Sequence, residues 1–140
     1  MKFDDADLAF NAYTTLERLG QPLYIQEYLE KPNRDIRAFV LNDAVIASMY
    51  REALPKEWKT NVAQGAKTSP ARLSTKMKEL AVKATETLNL VYAGVDIMET
   101  DRGPVVLEVN AAPSWQGLQR TTGIDIADKL AEFAHEHIKE

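Results

Sequence analysis

Two carboxylates and an amide stand close together late in the chain: Asp96, Glu108 and Asn110. They lie in the run Gly94-Val95-Asp96-Ile97-Met98-Glu99-Thr100-Asp101-Arg102-Gly103-Pro104-Val105-Val106-Leu107-Glu108-Val109-Asn110. Two alternating apolar stretches around Asp101-Arg102-Gly103 read as a β-hairpin, with Gly103 suited to the left-handed position of a three-residue loop. That turn sets Thr100 opposite Pro104, Met98 opposite Val106 and Asp96 opposite Glu108. Alternation places Asn110 two residues along the Glu108 face and gathers Val95, Ile97, Val105, Leu107 and Val109 on the other. Directly opposed carboxylates repel and weaken a strand pair. A cation between them removes that penalty, and all-oxygen donors with room for phosphate suit magnesium. Simple solvation on an exposed face is the other reading, and both stay open on register alone.

The elements that must position these residues can be read from periodicity. Leu8, Ala9, Ala12, Leu16 and Leu19 recur at helical spacing and stop at Gly20. Three extended stretches are expected next: Leu23 to Leu29, Asp35 to Leu41, and Ala44 to Met49 after an Asn42-Asp43 turn. Residues 52–70 read as a long polar excursion. Leu73, Met77, Leu80, Ala81, Ala84 and Leu88 mark a helix from Ala71 to Leu90. Strands at Tyr92 to Glu99 and Pro104 to Ala111 follow, and a helix from Ile124 to Ile138 closes the chain. The order is α-β-β-β-loop-α-β-β-α. It predicts an α+β fold, a mainly antiparallel sheet with helices packed on one face.

Bulk properties narrow the chemistry. With 140 residues the chain suits a single domain with its own core. A net charge of −4 gives no electrostatic support for nucleic-acid binding, so no nucleic-acid partner is expected. The absence of cysteine excludes disulfides and thiolate catalysis. The two histidines, His135 and His137, are spaced i, i+2 and so lie on different helix faces, which argues against a zinc pair. No apolar run approaches the ~20 residues of a membrane span, and the first residues lack a signal-like apolar stretch. A cytoplasmic location without a membrane partner is the expectation.

Several motifs together carry a family likeness. Gly94-Val95-Asp96, Gly103-Pro104 and Leu107-Glu108-Val109-Asn110-Ala111-Ala112-Pro113 resemble the metal-binding segment of ATP-grasp ligases. Gly117-Leu118-Gln119-Arg120-Thr121-Thr122-Gly123-Ile124-Asp125-Ile126-Ala127 is similar to the RimK-like α-L-glutamate ligases. Ile25-Gln26-Glu27-Tyr28, Asp35-Ile36-Arg37, Arg51-Glu52-Ala53 and Trp58-Lys59-Thr60-Asn61 resemble further family segments in the same order. The likeness implies the C-terminal lobe of an ATP-grasp domain. It implies Mg2+, with Mn2+ as the alternative, on Asp96, Glu108 and Asn110. ATP would be held by Glu27 and Tyr28 at the adenine, by Asp35, and by Lys59, Thr60 and Asn61 at the phosphates. Arg51 matches a family position for a cation near the transferred phosphoryl group, and so a catalytic role. The implied reaction adds L-glutamate to a carboxylate acceptor through an acylphosphate. A ribosomal protein C-terminus or a pterin or deazaflavin coenzyme is the implied acceptor.

Departures from the family pattern fall on the substrate side. Residues 113–116 read Pro-Ser-Trp-Gln where the bacterial ribosomal-protein modifiers have Pro-Gly and an acidic residue. Lys59 stands where Arg is common, keeping the charge but losing the bidentate fork. Glu52 stands where a second Arg often follows Arg51. Nothing in the sequence corresponds to the family's N-terminal substrate domain or to the first grasp lobe with its lysines and glycine-rich loop. Residues 1–140 are therefore expected to form one C-terminal subdomain, inactive alone and prone to self-association through uncovered apolar surface. A non-catalytic binding module built on the same half-fold is the competing expectation.

Overall fold

The computed structural model describes residues 1–29, 32–53 and 67–137. The chain divides into two units, Met1–Glu30 and Lys31–Glu140. The first unit holds α1 (Ala6–Arg18). Asp5 caps it, its carboxylate accepting a 2.8 Å hydrogen bond from the Leu8 amide, the bond that satisfies one orphan donor of a helix start. The segment from Leu23 to Leu29, expected as a strand, has no regular secondary structure. Alternation alone does not make a strand, which needs a partner ladder, and the first unit offers no second strand among its described residues.

The second unit is a five-stranded antiparallel sheet in the order β3-β2-β1-β4-β5. Its strands are β1 (Arg34–Leu41), β2 (Ala44–Glu52), β3 (Lys67–Pro70), β4 (Tyr92–Thr100) and β5 (Gly103–Asn110). Helices α2 (Thr75–Thr87), α3 (Gln116–Thr122) and α4 (Ile126–His137) complete it. The β1–β2 hairpin turns at Asn42-Asp43 as expected, with Asn42 at a positive φ of 53°, a conformation asparagine tolerates well. Strand β3 lies inside the stretch read as a polar excursion. It is short, fully exposed and at the sheet edge, so it carries no apolar signal. Helix α3 was not expected either. It is 7 residues long and ends at Gly123, whose φ of 72° supplies the left-handed cap.

Alternation along β1 divides the sheet's two faces. Ile36, Ala38 and Val40 point to one face with Ala93, Val95 and Ile97, where α2 packs through Ala81, Leu73 and Met77. Thr85, fully buried on α2, returns its hydroxyl to the Ala81 carbonyl and leaves no polar debt in that core. Phe39 points to the other face with Ala47 and Met49, against Leu118 of α3 and Ile126 of α4. There Tyr92 stacks on Phe39 and Trp115 meets it edge-on. The one-face arrangement of helices is thus corrected: α2 covers one face, and α3 with the start of α4 covers part of the other. Binary alternation in β1 and β2 demands it, because both faces carry buried apolar residues.

The β4–β5 hairpin differs from its expected register near the turn. Thr100 pairs with Gly103, Met98 with Val105 and Ile97 with Val106, so the loop is the two residues Asp101 and Arg102. A bulge at Leu107 then restores the expected pairing of Asp96 with Glu108. The bulge also changes which side chains of β5 face α2: Val106 and Val109 pack there, three residues apart rather than two. Ile97 is completely buried at the centre of this layer. Replacing it, Ile97→Ala, is expected to cost about 2–5 kcal/mol, measured as a lower urea midpoint with an unchanged denaturant slope.

Candidate functional site

The second face of the sheet is apolar at one end and charged at the other. Strand pairing builds the charged end. Asp35 lies opposite Arg51 on β2, Arg37 lies opposite Asp96 on β4, and Asp96 lies opposite Glu108 on β5. Because Asp35, Arg37 and Phe39 share one side of β1, all these side chains project to the Phe39 face. Asn110 pairs with Gly94, one step along from the Asp96–Glu108 pair.

Contacts among them alternate in charge. Arg51 grips Asp35 with a fork, Nε to Oδ1 at 2.7 Å and Nη2 to Oδ2 at 2.9 Å. The same Nη2 lies 2.9 Å from Asp96 Oδ2. Arg37 approaches the other side of Asp96, with Nε 2.7 Å from Oδ1 and Nη2 donating to Oδ2 at 3.3 Å. Asp35, Arg51 and Asp96 are only 4%, 5% and 7% exposed, so each charge depends on its neighbour for what water would otherwise provide. Burial pushes the Asp96 carboxyl up from its ordinary value, with Arg51 and Arg37 pulling the other way. Burial lowers Arg37, opposed by Asp96. For Arg51 burial also lowers, but the Asp35 hydrogen bond and the Asp96 charge outweigh it and the net shift is upward.

One atom is left over. Asp96 Oδ1 is buried and lacks an aligned hydrogen bond, although Arg37 Nε is within ion-pair distance. The contact is electrostatic without hydrogen-bond geometry, so a lone pair on Oδ1 stays uncommitted. Glu108 is exposed, its carboxylate open to solvent. Asn110 Oδ1 accepts from the Ala112 amide at 3.1 Å, which fixes the side-chain amide and still leaves a second lone pair. These donors fit a hard cation, two carboxylates and an amide oxygen, with positions left for phosphate oxygens. Among the described residues no group of three or more His, Cys, Asp or Glu side chains stands ready to hold a metal by itself.

The expected site residues distribute as follows. Asp35, Arg51, Asp96, Glu108 and Asn110 share one sheet face. Glu27 and Tyr28 belong to the first unit, where Lys2 Nζ lies 4.1 Å from the centre of the Tyr28 ring. Lys59, Thr60 and Asn61 lie outside the described residues. Arg37 was missed as a site residue. Two residues from Asp35 on one strand face, it projects parallel to that side chain, and each finds its partner across the ladder. Gly94 belongs to the same cluster. A Cβ there would lie 2.4 Å from Arg37 Nη1 and 2.7 Å from Pro113 Cβ, so glycine is required for space.

Comparison with known proteins bears on both units. The description of the RimK-like ATP-grasp domain matches residues 7–134. The tetrahydromethanopterin:alpha-L-glutamate ligase of Methanocaldococcus jannaschii is 44% identical over 119 residues, covering 83% of this chain and 40% of that protein. The ribosomal protein bS6–L-glutamate ligase of Escherichia coli is 41% identical over 120 residues, 85% of this chain and 40% of that protein. The chain thus spans about two fifths of the length of these relatives. Among solved structures, the ATP-grasp ligase PsnB, complexed with a phosphomimetic variant of its minimal precursor, Mg and ADP, superposes with a TM-score of 0.61. It is 26% identical, over 76% of this chain and 33% of PsnB. The D-alanine–D-alanine ligase of Bacillus anthracis, complexed with ATP, gives a TM-score of 0.63 at 19% identity, over 85% of this chain and 41% of the ligase, a likeness of fold.

The ion-pair chain makes one residue indispensable to the fold. Arg51→Met removes the two-bond fork on buried Asp35 and one of the two guanidinium contacts on buried Asp96, and a stability loss of about 3–5 kcal/mol is expected. Urea denaturation of the variant beside the parent measures it.

Proposed function

The chain belongs to the RimK-like ATP-grasp family, and on that premise we propose that its charged sheet face forms the magnesium and nucleotide side of an ATP-dependent carboxylate–amine ligase. The proposed reaction joins L-glutamate to an acceptor carboxylate. A carboxylate oxygen of the acceptor attacks the γ-phosphorus of ATP while the bond to the ADP oxygen breaks. The glutamate amine then attacks the acyl carbon, loses a proton and expels phosphate. A ribosomal protein C-terminus or a pterin or deazaflavin coenzyme is the proposed acceptor class; two relatives are named for tetrahydromethanopterin and for ribosomal protein bS6.

One observation carries the reading: Asp96 and Glu108 are direct partners across β4 and β5, with Asn110 beside them on the same face. An exposed carboxylate opposite a buried one is a poor structural pair and a good pair of ligands for a hard cation. In the proposal Asp96, Glu108 and Asn110 hold magnesium, which when bound would neutralise phosphate charge and polarise the phosphoryl group. By the family likeness alone, the proposal also assigns Asp35 to the nucleotide, Glu27 and Tyr28 to the adenine, and Lys59, Thr60 and Asn61 to the phosphates. Arg51, gripped by Asp35 and touching Asp96, contributes by fixing both carboxylates and by holding positive charge beside them. Such fixed charges need no rearrangement during phosphoryl transfer, which is the basis of electrostatic preorganisation.

Glu108 provides the test, because it is exposed and its removal should leave the fold intact. Calorimetric titration of the chain with ADP in magnesium is expected to give saturable binding. Glu108→Gln should weaken it by at least the ~10–100-fold that losing even an outer partner costs a metal site. Unchanged affinity in that variant would count against the proposed ligand set.

A further inference from the structure

Arg37 has a position that the ligase reading does not use. Arg51 is held in the cluster by a two-bond fork, its Nε and Nη2 both donating to the Asp35 carboxylate. Arg37 carries no such second obligation: among the described residues Asp96 is its one ion-pair partner. Its side chain is 16% exposed, against 6% for Arg51. It sits on the half of Asp96 whose Oδ1 lacks an aligned hydrogen bond. From there the guanidinium reaches along the strand to Gly94, where a Cβ would collide with Nη1. Gly94 is the cross-strand partner of Asn110. The guanidinium therefore extends over the sheet face from Asp96 toward Asn110, the ground between two of the three proposed donors.

We infer that Arg37 is the resident counter-cation of the metal position, seated on Asp96 until a divalent ion replaces it. The inference rests on the proposed metal role of Asp96. Electrostatics require the exchange. A guanidinium in contact with Asp96 Oδ1 and a dication on the same oxygen would repel at a few ångströms, where effective interactions are still kcal-sized. Arg51 stays, bound by its fork, and keeps Asp96 in place during the exchange. Arg37 moves off Asp96; the missing Gly94 side chain accommodates its guanidinium in the metal-free position, and its partly exposed side chain can swing toward solvent. The device has a purpose in the fold: the Oδ1 side of a buried carboxylate keeps a positive neighbour when no metal is present, where losing it would be costly. It also lowers the affinity for a free metal ion, so that the ion binds well only when phosphate oxygens supply further bonds. Arg37 is in this account a positioning residue, acting through Asp96.

The experiment is Mn2+ binding to the 140-residue chain without nucleotide, read from the free-Mn2+ electron paramagnetic resonance signal. Three variants accompany the parent: Arg37→Met, Arg37→Lys and Arg34→Met. Arg34 is the charge control, since it pairs with Glu99 and packs over Tyr50 away from the cluster. Arg37→Met is expected to bind Mn2+ roughly ten-fold tighter than the parent, a change of about 1.4 kcal/mol, while melting at a lower temperature without metal. Arg34→Met should stay within about two-fold of the parent, as expected for a distant, screened charge. Arg37→Lys, which keeps the charge and folds more readily, should lie between parent and Arg37→Met. Equal or weaker binding by both Arg37 variants overturns the inference, as does an equal gain in Arg34→Met. In either case saturable binding by the parent leaves the metal reading standing. Absence of Mn2+ binding in every protein overturns both.

Discussion

Buried charge on a sheet face is the constraint from which the rest of this structure follows. Asp35, Arg51 and Asp96 have almost no contact with water, and an ion so placed survives only when its neighbours replace its hydration. The cross-strand ladder supplies those neighbours: Asp35 opposite Arg51, Arg37 opposite Asp96. Four alternating charges on three adjacent strands lock the relative register of β2, β1 and β4. A slip of one residue would turn the charges into the apolar layer beneath α2. The same cluster therefore fixes the register and forms the charged part of the candidate site. Its geometry needs Gly94, whose missing side chain is what gives Arg37 room.

Much of the site was legible in the sequence, and the reason is the parity of β-strands. Asp96, Glu108 and Asn110 were placed on one face by counting, and the observed pairing of Asp96 with Glu108 agrees. Two deviations cancelled to give that agreement. The loop is shorter by one residue than expected, and the bulge at Leu107 adds one back. Counting could not reveal the bulge, because Val105, Val106 and Leu107 are all apolar and any of them could face the core. The consequence appeared instead in the packing, where Val106 replaced Val105 and Leu107 on the α2 side. Arg37 was hidden for a different reason. Its partner is 59 positions away in the chain, and local spacing carries no information about which strand will lie alongside.

The fold follows the same division. Long helices with clear periodicity and strands with a buried face were readable, as α2, β1 and β4 show. Short elements without an apolar stripe were not. β3 has no buried residue, and α3 is so short that Leu118 alone of its residues is buried. The two sheet faces were also mistaken for one. Phe39 lies between Ala38 and Val40 in an unbroken apolar run, and such runs mark strands covered on both sides. The covering of the second face by α3 and α4 is what leaves only its charged end open for chemistry.

The central claim is that the charged end of that face receives a divalent cation between β4 and β5. Paramagnetic broadening of backbone amide resonances by Mn2+ with ADP tests it most directly, since the effect falls steeply with distance from the ion. The account predicts early loss of the signals of Gly94 to Asp96 and Glu108 to Asn110, while the amides of α2 on the opposite face persist. Broadening centred on α2 or the C-terminal histidines, with Asp96 and Glu108 unaffected, would contradict it.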